Sequence, residues 1–146
     1  MVGTNEGITG HCICGAIRFC VIGDPVLTEF CHCQSCRRAS GAPLMAWAAY
    51  DRAGFEVIEG EPVDYASSPG LTRTFCGRCG TSLTLTDERI AEIYVAIAAF
   101  DDPEAVTPDI HIWRSHRLSW VETADDLPRY LRFKFQGELE TPAAGD

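Results

Sequence analysis

The sequence predicts an all-β protein assembled from two or more small sheets. Three observations carry this reading. Short runs of apolar or alternating residues recur along the chain, as the strands of half-buried sheets do. Glycine and proline, 13 and 8 of the 146 residues, interrupt the chain often, and no amphipathic stretch is long enough for an extended helix. Seven of the eight cysteines fall into three tight clusters, a pattern that fastens small sheets together.

Residues 8–12 and 16–21 flank the first cysteine pair as strands, with Gly15 at the turn between them. Residues 27–30 lead as a strand into the second cluster. Residues 44–50, small and aromatic, form another, and Phe55–Glu59 alternates apolar and charged side chains. Residues 71–76 and 81–86 read as two arms of a hairpin whose turn is the third cluster. The β-branched, alanine-rich stretch 93–100 suits either a central strand or a short buried helix. Single helical turns are expected at 34–39, 102–106 and 124–127. One domain is expected over residues 8–136, with flexible ends at 1–7 and 137–146.

The clusters are Cys12-x-Cys14, Cys31-x-Cys33-x-x-Cys36 and Cys76-x-x-Cys79-Gly80. In a strand, side chains two apart share a face, so the sulfurs of Cys12 and Cys14 can converge on one ion. A tight turn must separate Cys76 from Cys79, and Gly77 and Gly80 ease it. A disulfide framework is the competing reading of an even cysteine count. A Cys-x-Cys pair, however, closes an internal bridge only under heavy strain. The segment before the first cysteine also has neither the basic region nor the apolar run of a signal peptide. Metal ligation is therefore expected, in a reducing, cytoplasmic compartment. Zinc takes four thiolates in structural sites and three protein ligands plus an open position in reactive ones. Four plus three is what the chain offers.

At 146 residues the chain can bury roughly 68–70% of its unfolded surface without staples. A formal net charge of −9 argues against nucleic acid or an anionic membrane as partner, since both require clustered Lys and Arg. No apolar run approaches the length of a membrane-spanning helix.

The string Gly10-His11-Cys12-Ile13-Cys14-Gly15-Ala16-Ile17-Arg18-Phe19 resembles the opening motif of the glutathione-dependent formaldehyde-activating enzyme (GFA) family. Cys31-His32-Cys33-Gln34-Ser35-Cys36-Arg37-Arg38-Ala39-Ser40-Gly41 is similar to its second motif, and Phe75-Cys76-Gly77-Arg78-Cys79-Gly80-Thr81 to its third. Pro108-Asp109-Ile110-His111-Ile112-Trp113, Trp120 and Leu127-Pro128 extend the likeness to about residue 130. The resemblance implies a small zinc-bound β-tent, or Mss4-like, domain. It implies two zinc ions, a structural one on Cys12, Cys14, Cys76 and Cys79 and a reactive one on Cys31, Cys33 and Cys36. It also implies a carbon–sulfur lyase that joins glutathione to formaldehyde, giving S-hydroxymethylglutathione. The expected partners are thus a small-molecule thiol and an aldehyde.

Arg37 and Arg38 directly follow the last ligand of the reactive set and are candidates for pairing with glutathione carboxylates. A solvated turn is the plainer reading of the two. His32 and His11 are expected to point away from the metals, and His111 and His116 to be packed or exposed. Cys20 reads as a small buried hydrophobe, and Phe19, Trp47, Phe55 and Tyr94 as core. A zinc-stabilised binding module without turnover is the alternative function. A second alternative has both metals structural, with a further side chain closing the second site.

Overall fold

The computed structural model describes residues 7–134, 139 and 140. The loose ends expected at 1–6, 137, 138 and 141–146 lie outside the described residues. The all-β expectation holds: among the described residues ten strands and one short α-helix make up the regular structure, with 3-10 turns between them. The chain divides into two compact units. The first comprises Met1–Thr28 and Trp47–Thr107, the second Glu29–Ala46 and Pro108–Asp146.

In the first unit, β1 (Ile8–His11) pairs antiparallel with β2 (Arg18–Val21), which pairs antiparallel with β5 (Phe55–Glu59). A second sheet runs in the order β4 (Met45–Asp51), β9 (Glu92–Ala96), β8 (Ser82–Asp87), β7 (Leu71–Phe75), β6 (Val63–Ser68). Phe19, 1% exposed, stacks on Phe55 at 5.6 Å and tilts against Phe100 at 5.8 Å. Tyr50 meets Phe100 edge-on, and Trp47, Leu83 and Val95 are buried. Burial of such aromatic side chains is the main driving force here, with ring geometry adding a smaller increment. Phe19 and Trp47 are core as expected; Phe55, Tyr94 and Cys20 are only half-buried.

The second unit carries the end of β3 (Leu27–Cys31), the helix α1 (Gln34–Ser40) and β10 (Ile110–Ile112). β10 runs parallel to β3, with Ile112 opposite Cys31. Helix α1 is short because Gly41 ends it in the left-handed region, at φ 72°, donating its N–H to Arg37 O. Ile110, His111 and Ile112 are all buried.

Three local expectations need correction. The stretch 93–100 is both strand and helix: β9 ends at Ala96 and a 3-10 turn follows over Ile97–Ala99. No helical turn forms at 124–127. There the Asp125 carboxylate accepts from the Leu127 N–H, and Arg129 donates to Leu127 O, Thr123 O and Asp125 O. The carbonyls that a helix would use are thereby engaged elsewhere. Strand β6 has no counterpart among the expected elements, because its exposed residues show no alternation to read.

Candidate metal centres

In the first unit the tips of two hairpins bring four cysteines together. The ligand atoms of Cys12, Cys14, Cys76 and Cys79 lie within 4.8 Å of one another. Cys14 Sγ is 3.6 Å from Cys12 Sγ and 3.8 Å from Cys76 Sγ. Each tip is closed by its own backbone. Gly15 N–H donates to Cys12 O and Cys12 N–H to Ile17 O; Gly80 N–H donates to Cys76 O and Cys76 N–H to Thr81 O. Both glycines sit at positive φ, 77° and 82°, where an L side chain is disfavoured. The sulfurs of Cys12 and Cys14 thus converge through a turn beyond the end of β1, and not through strand alternation as the sequence reading supposed.

The backbone also prepares these sulfurs for negative charge. Ile17 N–H donates to Cys12 Sγ, and the N–H groups of Arg78 and Cys79 both point at Cys76 Sγ. Hydrogen bonds from Thr81, chiefly through its hydroxyl, draw the Cys79 thiol down to about 5. Cys14 receives a hydrogen bond from the Ala16 N–H, yet burial and the other three sulfurs push it up to about 11. Four sulfurs this close resist ionising together without a cation, and a divalent thiophilic ion meets that demand.

The second cluster lies wholly in the second unit, at the junction of β3 and α1. Cys31, Cys33 and Cys36 also bring their sulfurs within 4.8 Å of one another. Cys33 is the helix cap, and its Sγ accepts from the Cys36 N–H at 3.3 Å. Cys31 and Cys36 are buried at 3% and 2% exposure. Contacts with Cys33 and Cys36, together with burial, push the Cys31 thiol well above its ordinary value. Among the described residues no fourth Cys, His, Asp or Glu joins this group.

The two arginines after the cluster differ. Arg37 is half-buried and donates through Nε to His32 O and through Nη2 to His116 O, both at 3.3 Å. Arg38 is exposed, and Gln34 lies within hydrogen-bonding reach of its guanidinium.

Four titratable residues that the sequence reading left out or undervalued share the second unit with this cluster. His32 and His111 are both fully buried, His32 Nε2 lying 2.8 Å from His111 Nδ1. His111 Nε2 lies 3.0 Å from a carboxylate oxygen of Asp125. Burial, reinforced by the charges of Arg114 and Arg129, pulls His32 down to about 4, so its ring is neutral. Burial alone would raise the Asp125 carboxyl. Hydrogen bonds from Thr123, the Leu127 N–H and His111 overcome that and hold it well below the usual carboxylate range. Glu29, 4% exposed, stands two residues before Cys31 and hence on the same strand face. Burial first, then the charges of Cys36 and Asp109, push its carboxyl up to about 8, which keeps one more negative charge off a thiol-rich site. The strand period alone could have flagged Glu29. His11, by contrast, is exposed and lies 2.5 Å from Asp101.

A cavity of about 260 Å³ in the first unit, lined by Phe19, Phe55, Leu83, Thr74 and Thr84 among others, contains none of the cysteines. Among the described residues no helix is long and apolar enough to cross a membrane.

Comparison with known proteins agrees with the cysteine geometry. The family profile described as glutathione-dependent formaldehyde-activating enzyme matches residues 7–116. A Halomonas elongata protein, provisionally named a glutathione-dependent formaldehyde-activating enzyme, is 30% identical over 126 residues, covering 79% of this chain and 80% of its own. An uncharacterized lyase of Schizosaccharomyces pombe is 41% identical over 75 residues, 51% of this chain and 53% of its own. A crystal structure of a Rhodobacter sphaeroides protein superposes with a TM-score of 0.56 at 22% identity, covering 69% of this chain and 92% of that one. That last likeness concerns the fold alone.

Proposed function

The chain belongs to the glutathione-dependent formaldehyde-activating enzyme family, and from that premise we propose that it is a zinc-dependent carbon–sulfur lyase. It joins glutathione, or a related thiol, to formaldehyde or another small aldehyde at the Cys31–Cys33–Cys36 cluster. One observation carries the reading: three sulfurs converge without a fourth protein ligand among the described residues, which is the donor set of a reactive and not a closed zinc site.

All-sulfur donor sets suit zinc, so the proposal assigns it two zinc ions per chain. The one on Cys12, Cys14, Cys76 and Cys79 fastens the hairpin tips. The one on Cys31, Cys33 and Cys36 supplies, when bound, a Lewis acid that favours the thiolate form of an arriving thiol. The thiol sulfur forms a bond to the aldehyde carbon while the carbonyl oxygen takes the proton, giving S-hydroxymethylglutathione. Thiols add to aldehydes readily, so the demand on the protein is chiefly to bind and orient. Arg38, exposed beside the cluster, is free of backbone duty among the bonds described and suits a glutathione carboxylate. Arg37 keeps the carbonyls of His32 and His116 in place and meets substrate only with its remaining donors. Thiol chemistry of this kind needs the reducing conditions of a cytoplasm.

Titration calorimetry tests the reading. Glutathione should bind the zinc-loaded protein, and S-methylglutathione, which retains both carboxylates but has no thiol proton, should bind much more weakly. Added salt should weaken glutathione binding where exposed Arg38 contributes. Equal affinity for the thiol and its methyl ether would refute a role for sulfur at the cluster. Absence of heat from either would favour a zinc-stabilised binding module without turnover.

A further inference from the structure

The residue between Cys31 and Cys33 is held at more points than packing requires. His32 N–H donates to Ile112 O at 3.1 Å, and its carbonyl accepts from Arg37 Nε at 3.3 Å. Its ring stacks on His111 with centroids 5.1 Å apart, and His111 stacks in turn on Phe30 at 4.9 Å. Neither imidazole has any exposure to solvent.

The order of donors along this chain of side chains can be worked out from its far end. Asp125 is a carboxylate that lies 3.2 Å from Arg129 Nη1 and accepts the Leu127 N–H. A carboxylate only accepts, so His111 Nε2 carries the proton between them. In a neutral ring Nδ1 of His111 is then an acceptor, and His32 Nε2–H must donate to it. That leaves Nδ1 of His32 as a bare lone pair, and this atom is buried with no hydrogen-bond partner. A side chain placed only to fill space would leave no such orphan. Nor is His32 a ligand here, for the group that closes within 4.8 Å contains the three cysteines without it. What the ring gains is its bond to His111, and through it a fixed orientation.

We propose that Arg129, Asp125, His111 and His32 form a positioning chain that holds Cys31 and Cys33 in metal-receiving geometry before any ion arrives. Fixing the backbone and ring of His32 fixes the Cα–Cβ directions of the two cysteines that flank it. Helix α1 separately fixes Cys36, through the Cys33 cap and the Arg37 N–H to Cys33 O bond. The ordering cost of the site is thus met on folding, and binding gains what it need not spend on ordering the loop. The proposal rests on the reading of this cluster as a metal site.

Cobalt titration of the metal-stripped full chain, followed by thiolate-to-metal absorption, separates the two questions. The unmodified chain should take up two equivalents, the weaker of which vanishes in Cys33→Ser/Cys36→Ser. Loss of a hydrogen-bond partner of a ligand typically weakens metal binding 10–100-fold, and the bond lost here orients the residue between two ligands. His111→Leu should therefore weaken the second equivalent by about 10–100-fold and leave the first unchanged, which also reports on folding. His111→Gln, whose amide offers an N–H donor toward Asp125 and an oxygen acceptor toward His32, should recover affinity to within about threefold. Asp125→Ala removes the acceptor shared by the His111 Nε2–H and the Leu127 N–H and serves as the test if His111→Leu prevents folding; it too should weaken only the second equivalent. Long-range ¹H–¹⁵N correlation on the unmodified protein should show both His32 and His111 protonated at Nε2. A proton on His32 Nδ1, or unchanged second-site affinity in both His111→Leu and Asp125→Ala, would overturn the proposal. Absence of a second equivalent in the unmodified chain would instead overturn the metal reading beneath it.

Discussion

The two clusters should differ in what their removal does to stability, and the structure sets the size of that difference. Cys14 and Cys76 lie 62 positions apart in sequence, so an ion shared between them closes a loop of that length in the unfolded chain. Treated as a cross-link, such a closure is worth about 4 kcal/mol. The second cluster closes only about five residues, for which the same relation gives about 2 kcal/mol as an upper bound. Even that overstates it, because the end of β3 and helix α1 already order both sides of the loop.

The perturbations are Cys76→Ser/Cys79→Ser and Cys33→Ser/Cys36→Ser, each removing two ligands of one site. For a chain of this length 1 kcal/mol moves the melting midpoint by about 2–4 °C. The first variant should therefore melt about 8–16 °C below the zinc-loaded parent, and the second no more than about 4–8 °C below it. Differential scanning calorimetry with equal free zinc in all samples provides the comparison, and a chelator added to the parent should produce a loss at least as large as the first variant's. If the second variant melts as low as the first, the division into a fastening site and a reactive site is wrong.

Two further outcomes follow from local geometry. Gly15→Ala and Gly80→Ala should each cost about 1–2 kcal/mol in denaturant unfolding. A Cβ at either position meets nothing within 4 Å, so the cost comes from positive φ alone and Asn should recover much of it. Asp87, drawn down to about 2 by Arg89 side-chain and backbone hydrogen bonds, gives stability that is fully present above the ordinary carboxylate value and is lost as pH falls through 2. Asp87→Asn should accordingly lower the melting midpoint near neutral pH by a small amount and converge on the parent in strong acid; a difference that persists undiminished at low pH would exclude the ion pair as its cause.

Much of the fold can be read in the sequence because its information is local. The hairpin carrying the third cluster is visible in alternation on either side of a Cys-x-x-Cys-Gly turn, and β7 and β8 fall within two residues of where that pattern puts them. The cysteine groups are equally local, three short strings whose spacing already restricts what they bind. Strand β6 escapes because it is a sheet edge with most of its side chains in solvent, and alternation of burial is the signal a reader uses. The link between His32 and His111 escapes for a different reason. The two residues are 79 positions apart, and only the parallel pairing of β10 with β3 brings them together. Local grounds place a histidine between two ligands facing away from the metal, but they say nothing of what it faces instead.

The contrast in supporting structure bears on why one cluster would fasten and the other react. At the hairpin tips, the N–H groups of Ile17, Arg78 and Cys79 point at two of the sulfurs, and all four ligands come from backbone turns closed on themselves. Charge on those sulfurs is satisfied by fixed dipoles, which favours an ion held permanently. At the strand–helix junction the backbone supplies Cys33 Sγ with the Cys36 N–H and ties His32 to Ile112, while side chains add to the fixing of the loop: Arg37 on a carbonyl, His32 on His111, His111 on Asp125. Burial, with the charges of Cys36 and Asp109, pushes the Glu29 carboxyl up to about 8, and Glu29 does not join the three sulfurs. Under the proposed function, a centre rigid in its three sulfurs and with no fourth ligand among the described residues would accept a thiol from outside without rearranging. The same rigidity in a four-sulfur centre would only hold the ion, so under the proposed function the lack of a fourth ligand among the described residues, and not the softness of the site, would separate chemistry from scaffold.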